Sequence, residues 1–168
     1  MSDPSNDPMA SKKADSPGSQ SATAASAGPS DVEPTGLHLT TDQLDEMIAH
    51  CLRSYPEEGC GLLTGQETTG TVATVQPTRN ASASGQIYTV DPGEYLRIDR
   101  AAEDAGNSVI GVFHSHTHTD AFPSRTDVAQ APDPGWHYVL VSLRHEVASV
   151  RSYRIVDDQV AEEVIFVH

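Results

Sequence analysis

The chain has 168 residues, with 24 acidic and 10 Lys or Arg side chains, a formal net charge of −14. This acidity excludes nucleic acid as a partner, because non-specific nucleic-acid binding needs a basic footprint. No run of about 18 apolar residues occurs, which excludes a membrane-spanning helix. Residues 1–36 are rich in Ser, Ala, Pro and Asp and lack aromatic residues, so we predict a disordered extension followed by one domain at 37–168.

The extension has neither the apolar core of a signal peptide nor the Arg-rich pattern of a transit peptide. The two cysteines, Cys51 and Cys60, lie in apolar surroundings and do not resemble a disulfide framework. These features predict a cytoplasmic protein with two buried free thiols. Cys60 as a nucleophile remains a minor alternative.

The first half of the domain predicts two helices and two strands. Thr40 and Gln43 form a capping-box pattern before an amphipathic helix that Pro56 ends. Residues 60–65 and 71–75 predict a pair of strands, and residues 76–87 predict a loop. Asp91-Pro92-Gly93-Glu94 predicts a second helix, capped by Asp91 with Glu94 reaching back, that Gly106 closes.

The second half predicts a doubly buried central strand at 109–113 and a third helix that begins at Pro123-Ser124. A strand at 136–142 and a hairpin of residues 151–156 and 160–167 complete the domain. The sum is a mixed α/β (α+β) domain, with a mostly antiparallel sheet and helices packed on it.

The sequence His114-Ser115-His116 at the end of the central strand predicts a metal site. Alternation along a strand places both imidazoles on one face. With Asp127 they form a three-ligand set that leaves a fourth tetrahedral position for water, as in catalytic zinc sites. Two alternatives stay open: His118 as a third ligand, and Ser124 with Asp127 as a simple capping box.

A general base is expected near such a site. Glu57 and Glu58 stand at the junction between the first helix and a buried strand. We favour Glu58, since a carboxylate that enters an apolar strand is costly without a purpose.

Glu58, His114-Ser115-His116, Ser124 and Asp127 together resemble the JAMM motif of the MPN/JAB metallopeptidases. The resemblance implies an MPN/JAB, cytidine-deaminase-like fold and a Zn²⁺ ion held by His114, His116 and Asp127. It also implies Glu58 as general acid and base, and Ser124 as hydrogen-bond donor to the oxyanion. The reaction implied is hydrolysis of an amide or isopeptide bond, often after a ubiquitin-like Gly-Gly tail.

Several segments are similar to family members from actinobacteria that release cysteine from a ubiquitin-like sulfur-carrier protein. They are residues 58–65, 113–117, 123–127, 137–142 and 151–156. The resemblance implies that carrier as partner and substrate, while Gly59 and His118 depart from the pattern. A general deconjugating isopeptidase and a metal-free binding scaffold remain the alternatives. Arg97, Arg100 and Arg125 are candidates for holding the carboxylate of the released cysteine.

Overall fold

The computed structural model describes residues 35–168, which belong to one compact unit. The predicted disorder at 1–36 falls outside this part of the chain, except for its last two residues. Within residues 35–168 the helices are α1 (Thr41–Ser54), α2 (Pro92–Asp104) and α3 (Arg125–Ala129). The strands of the same range are β1 (Leu37–Leu39), β2 (Cys60–Gln66), β3 (Thr71–Thr78), β4 (Ser108–His116), β5 (His137–Ser142), β6 (Ser149–Val156), β7 (Gln159–Glu163) and β8 (Ile165–Val167). None of these helices has the length and apolarity needed to cross a membrane.

The strands form one mixed sheet in the order β7-β6-β5-β4-β2-β3-β1-β8. Four neighbouring pairs are antiparallel, and three are parallel: β1 with β3, β1 with β8 and β4 with β5. The predicted mixed, mostly antiparallel sheet is confirmed. Only Val164 separates β7 from β8, although these strands end the order on opposite sides. Because one residue spans at most about 3.6 Å, the sheet must curl until its two edges meet.

This curl explains where the sequence-based prediction of the strands is wrong. Residues 160–167 are divided at Val164: β7 pairs with β6, whereas β8 pairs in parallel with β1. Leu37 donates its backbone N–H to the Val164 carbonyl at 3.0 Å. The sequence did not indicate β1, because three buried residues are too short to show a period. Its partners are β3 and β8, and neither of them is next to β1 in the chain.

Helices cover both faces of the sheet, as predicted. α1 packs on one face through Met47 and Cys51, and α2 on the other through Ile98 and Ala102. Two apolar clusters lie on the two faces, and a bulge in the pairing of β2 with β4 places Ile110 on the same face as Phe113. The α1 side includes Leu39, Leu63, Ile110, Phe113 and Val139, and the α2 side includes Leu62, Val112, Tyr138, Leu140 and Tyr153.

Two helix starts follow the sequence, with one correction. Thr40 accepts the Gln43 N–H at 3.2 Å, and Gln43 accepts the Thr40 N–H at 2.9 Å. Asp91 caps α2 by accepting the N–H of Glu94 at 3.1 Å. The Glu94 carboxylate does not return to this cap, because it accepts the Arg79 backbone N–H at 3.1 Å.

A buried polar pair joins β7 to β5 across β6. The His137 ring donates to Glu163 at 2.7 Å, and the Ser152 hydroxyl donates to the same oxygen at 2.6 Å. Burial disfavours the Glu163 carboxylate, but these two hydrogen bonds outweigh it and lower its pKa below the ordinary value. The pair therefore stabilises the fold while Glu163 is ionised.

We predict that Glu163→Gln lowers the free energy of unfolding at pH 7 by about 1–3 kcal/mol, the range for a hydrogen bond to a charged group. Since the folded pKa is lowered, the stabilisation is complete above the unfolded pKa of a glutamate. It is lost as the pH falls toward the folded pKa. Urea titrations between pH 7 and pH 3 measure this, and the variant should show a shallower loss of stability than the wild type.

Glu162→Gln is the matched control. Glu162 is next to Glu163 in the chain, but its carboxylate is exposed and pairs with Arg151 at 3.4 Å. We expect a change below about 1 kcal/mol for this surface pair. Equal losses in both variants would contradict a stabilising role for the buried pair.

Candidate active site

Strand β4 delivers two imidazoles to one point at its carboxyl end. His114 and His116 lie on the same face, with their Nε2 atoms 3.3 Å apart. His116 donates its Nδ1–H to the Asp120 carbonyl at 3.0 Å, which orients the ring so that Nε2 faces the site. Ser115 points to the opposite face, where its hydroxyl accepts the Gly59 N–H at 2.9 Å.

Helix α3 supplies the third group. Asp127 places Oδ1 at 3.4 Å from His114 Nε2 and Oδ2 at 3.3 Å from His116 Nε2. A capping box orients this carboxylate: Ser124 donates its N–H to Oδ2 at 2.6 Å, and its hydroxyl accepts the Asp127 N–H at 3.2 Å. The capping alternative and the metal-site prediction are therefore not exclusive, since one aspartate makes both sets of contacts.

The charges of these groups suit a metal ion. Burial disfavours the Asp127 carboxylate, but the hydrogen bonds with His114, His116 and Ser124 hold its pKa well below the usual range. Burial lowers the pKa of His114, which favours the neutral imidazole that metals bind. For His116, the hydrogen bonds to Asp127 and the Asp120 carbonyl outweigh burial and raise the pKa.

The separation of the two imidazole nitrogens fits a tetrahedral metal. Zinc bonds of about 2.0–2.1 Å place neighbouring corners of a tetrahedron about 3.3–3.4 Å apart. His114 Nε2 and His116 Nε2 are 3.3 Å apart, and the two carboxylate oxygens of Asp127 lie beside them, Oδ1 at 3.4 Å from the first and Oδ2 at 3.3 Å from the second. Among the described residues these three form a cluster that could hold an ion, and His118, the alternative third ligand, is outside it.

Tyr88 holds His114 in a way the sequence did not indicate. The two rings stack with centroids 4.2 Å apart and an interplanar angle of 19°. His114 Nδ1 is buried without a hydrogen-bond partner in the described chain, so stacking replaces the usual bond that orients a metal-binding histidine. The sequence offered one signal for this contact, which is the position of an aromatic residue directly after the polar segment 76–87.

Glu58 lies beside this cluster. Its side chain is buried at 4 % exposure, whereas Glu57 is exposed. Burial raises the pKa of Glu58 to about 7, with His116 opposing and Asp127 adding to the shift. A carboxyl with a pKa near neutrality can both accept and return a proton.

The segment after β3 fixes the backbone around Glu58. Glu58 donates its N–H to the Ser84 carbonyl at 2.8 Å. The Asn80 amide donates to the carbonyls of Glu58, Ser84 and Ile87 at 3.1, 3.2 and 3.0 Å. The sequence predicted only a loop for this segment. Its ordering by one buried asparagine could not be predicted, because a single residue produces no periodic pattern in the sequence.

A polar cleft of about 510 Å³ brings three of the five predicted site residues together. Its lining includes Glu58, His116 and Ser124, and the further lining residues are Pro56, Ser84, Gly85, Gln86, Thr117, His118 and Thr119. An adjacent cavity of about 460 Å³ is mostly apolar, with Leu62, Tyr88, Tyr95, Val112 and Trp136 in its wall.

The two cysteines take no part in this cleft. Both thiols are free and buried. Burial raises the pKa of Cys51 to about 12, and it also raises that of Cys60. The structure therefore does not support Cys60 as a nucleophile, because the thiolate is the reactive form.

Comparison with known proteins identifies the family. Residues 40–156 match the family of prokaryotic homologs of the JAB domain. The chain is 45% identical over 133 residues to the CysO-cysteine peptidase of Mycobacterium tuberculosis, covering 77% of this chain and 89% of that protein. It is 35% identical over 111 residues to a desampylase from Haloferax volcanii, covering 63% of this chain and 80% of that protein.

Two solved structures share the fold of this chain. A protein from Desulfitobacterium hafniense superposes with a TM-score of 0.72 and 35% identity, over 79% of this chain and 92% of the other. A JAB1/MPN domain protein from Archaeoglobus fulgidus, at 19% identity and a TM-score of 0.53, shares the fold over 79% of this chain and 98% of its own. The chain belongs to the prokaryotic JAB (MPN/JAB) family.

Proposed function

We propose that this protein is a zinc peptidase that hydrolyses the bond after the Gly-Gly tail of a ubiquitin-like sulfur-carrier protein and releases cysteine. Its partner would be a carrier like the CysO named for the mycobacterial relatives, and its pathway cysteine biosynthesis. The observation that carries the proposal is the convergence of two imidazoles and one carboxylate, with contacts of 3.3–3.4 Å between them, beside the buried carboxyl of Glu58. The 45% identity to CysO-cysteine peptidases over 89% of their length supports the substrate.

His114, His116 and Asp127 would hold the metal. Two imidazoles and one carboxylate are a donor set that suits zinc and leaves a position open for chemistry. When bound, the ion would supply Lewis acidity, which polarises a carbonyl and makes water more acidic. The capping box fixes the carboxylate of Asp127, so the donor set is already in place in the folded chain.

Glu58 would move the proton. As general base it takes a proton from the attacking water, and as general acid it gives that proton to the leaving amine of cysteine. Its position in the wall of the cleft that also contains Ser124 supports this role. A pKa raised to about 7 allows both halves of the transfer at neutral pH.

Ser124 would stabilise the oxyanion. Its hydroxyl oxygen already accepts the Asp127 N–H at 3.2 Å, which leaves the O–H proton to donate elsewhere. Ser124 also lines the cleft. A donor fixed before the reaction stabilises developing negative charge more than mobile water does.

A second candidate function is cleavage of isopeptide bonds between a ubiquitin-like modifier and lysines of target proteins. The similarity to a desampylase and, at 35% identity over 96 residues, to a probable TtuB-protein conjugate cleaving protease of Thermus thermophilus favours it. The two functions can be distinguished by measuring how fast the zinc-loaded protein cleaves CysO–cysteine and how fast it cleaves CysO joined to a lysine side chain. The first proposal requires faster cleavage of CysO–cysteine.

We further propose residues 37–168 as the peptidase domain and the cytoplasm as its compartment. The buried free thiols of Cys51 and Cys60 support a reducing compartment.

We predict that Glu58→Gln lowers kcat by about 10²–10⁴-fold, the contribution of general acid–base catalysis. Zinc content measured by plasma mass spectrometry should stay at the wild-type level, because Glu58 is not one of the proposed zinc ligands. Glu57→Gln is the control, since that carboxylate is exposed, and it should keep wild-type kcat. Loss of zinc from Glu58→Gln would identify Glu58 as a ligand instead.

We predict that Asp127→Asn weakens zinc binding by more than about 100-fold, because it replaces a proposed ligand. Residues that only support a ligand usually contribute less than this. Competition with a chromogenic chelator measures the affinity. Asp120→Asn is the control: its carboxylate pairs with Arg144 at 3.0 Å, while only its carbonyl contacts His116. Wild-type protein purified without chelator but lacking zinc would favour the metal-free scaffold.

We predict that Ser124→Ala lowers kcat by about 10²–10³-fold with little change in KM, as for removal of one oxyanion donor. The variant also loses the side-chain half of the α3 cap, which costs about 1 kcal/mol of stability, while the Ser124 backbone N–H still holds Asp127 Oδ2. Thr40→Ala removes the equivalent cap of α1 and should show the stability loss with unchanged kcat. Similar kcat losses in both variants would mean that Ser124 acts through stability.

A further inference from the structure

The direction in which the product leaves can be assigned from the two cavities. Glu58 and Ser124 line the polar cleft, and neither lines the apolar cavity. Under the proposed function, on which this inference rests, Glu58 protonates the leaving amine. The amino acid therefore departs into the polar cleft, and its α-carboxylate lies two covalent bonds from the nitrogen that Glu58 protonates.

A carboxylate in this cleft requires a local donor, because the protein as a whole carries a net charge of −14 and repels anions. The three arginines considered from the sequence do not supply it. Arg97, Arg100 and Arg125 are not among the described residues that line the cleft. His118 is, and it adds a ring nitrogen donor to a wall otherwise made of hydroxyl, amide and apolar groups, apart from Glu58 and His116.

The residues on both sides of His118 are anchored by hydrogen bonds. The Thr117 hydroxyl donates to the Gly85 carbonyl at 3.4 Å, and the Ser142 hydroxyl donates to the Thr119 carbonyl at 2.6 Å. The His118 side chain itself is exposed, and its ring makes no hydrogen bond within residues 35–168. His118 thus presents a donor to the cleft from a fixed position, as a preorganised binding residue does.

We propose that His118 is a specificity residue that donates a ring N–H to the α-carboxylate of the leaving cysteine. A lysine side chain in an isopeptide bond has no carboxylate at this distance from its nitrogen. His118 therefore favours conjugates that end in a free amino acid over conjugates to internal lysines.

The test uses zinc-loaded, full-length protein and two conjugates of CysO. One carries cysteine on the terminal glycine, and the other carries cysteamine, which keeps the amine and thiol but lacks the carboxylate. For the wild type we expect kcat/KM to be about 10- to 100-fold higher on the cysteine conjugate, from a hydrogen bond to a charged group. His118→Ala should lose that preference, with activity on the cysteamine conjugate within about twofold of wild type.

His145→Ala is the matched control, because His145 is an exposed histidine outside the cleft, and it should keep the preference. His118→Gln restores an N–H donor and should recover part of it, at unchanged zinc content and thermal midpoint. Equal losses on both conjugates in His118→Ala, or a wild type without preference, would overturn the inference. A wild type that cleaves neither conjugate would overturn the proposed function itself.

Discussion

The reciprocal hydrogen bonds between Ser124 and Asp127 are the interaction on which the candidate site depends. They begin α3, and the same bonds turn the Asp127 carboxylate toward the two imidazoles of β4. A five-residue helix has little stability of its own, so the cap and the packing of its apolar side hold it. Loss of the cap would release one donor of the proposed zinc site and the proposed oxyanion donor together.

The central position of β4 provides the other half of the site. Between β2 and β5 its backbone is hydrogen-bonded on both sides, and its last residues are fully buried. The imidazoles therefore need little reorganisation to bind an ion. The packing next to the imidazoles is dense. A Cβ at Gly61 would overlap the Phe113 ring of the neighbouring strand, so this position requires glycine.

The polar cleft and the apolar cavity divide the surroundings of the site by chemistry. Tyr88 belongs to the apolar side and stacks on His114, whereas Glu58, Ser124 and His118 face the polar side. Asn80 organises the segment between them through its side-chain amide. A substrate that occupies both sides would thus contact Tyr88, which supports His114, and also Glu58, the residue proposed to transfer protons.

Elements and residues that have local sequence signals could be predicted before the fold was known. The cap of α1, the start of α2 and the spacing of His114, His116, Ser124 and Asp127 are short-range patterns, fixed by helix caps and strand alternation. Tertiary structure alone decided the pairing of β1 with β8, the break at Val164 and the stacking of Tyr88 on His114. It also decided the burial that raises the pKa of Glu58. These features depend on residues far apart in the chain that meet only when the sheet curls, and no periodicity within one segment records such a meeting.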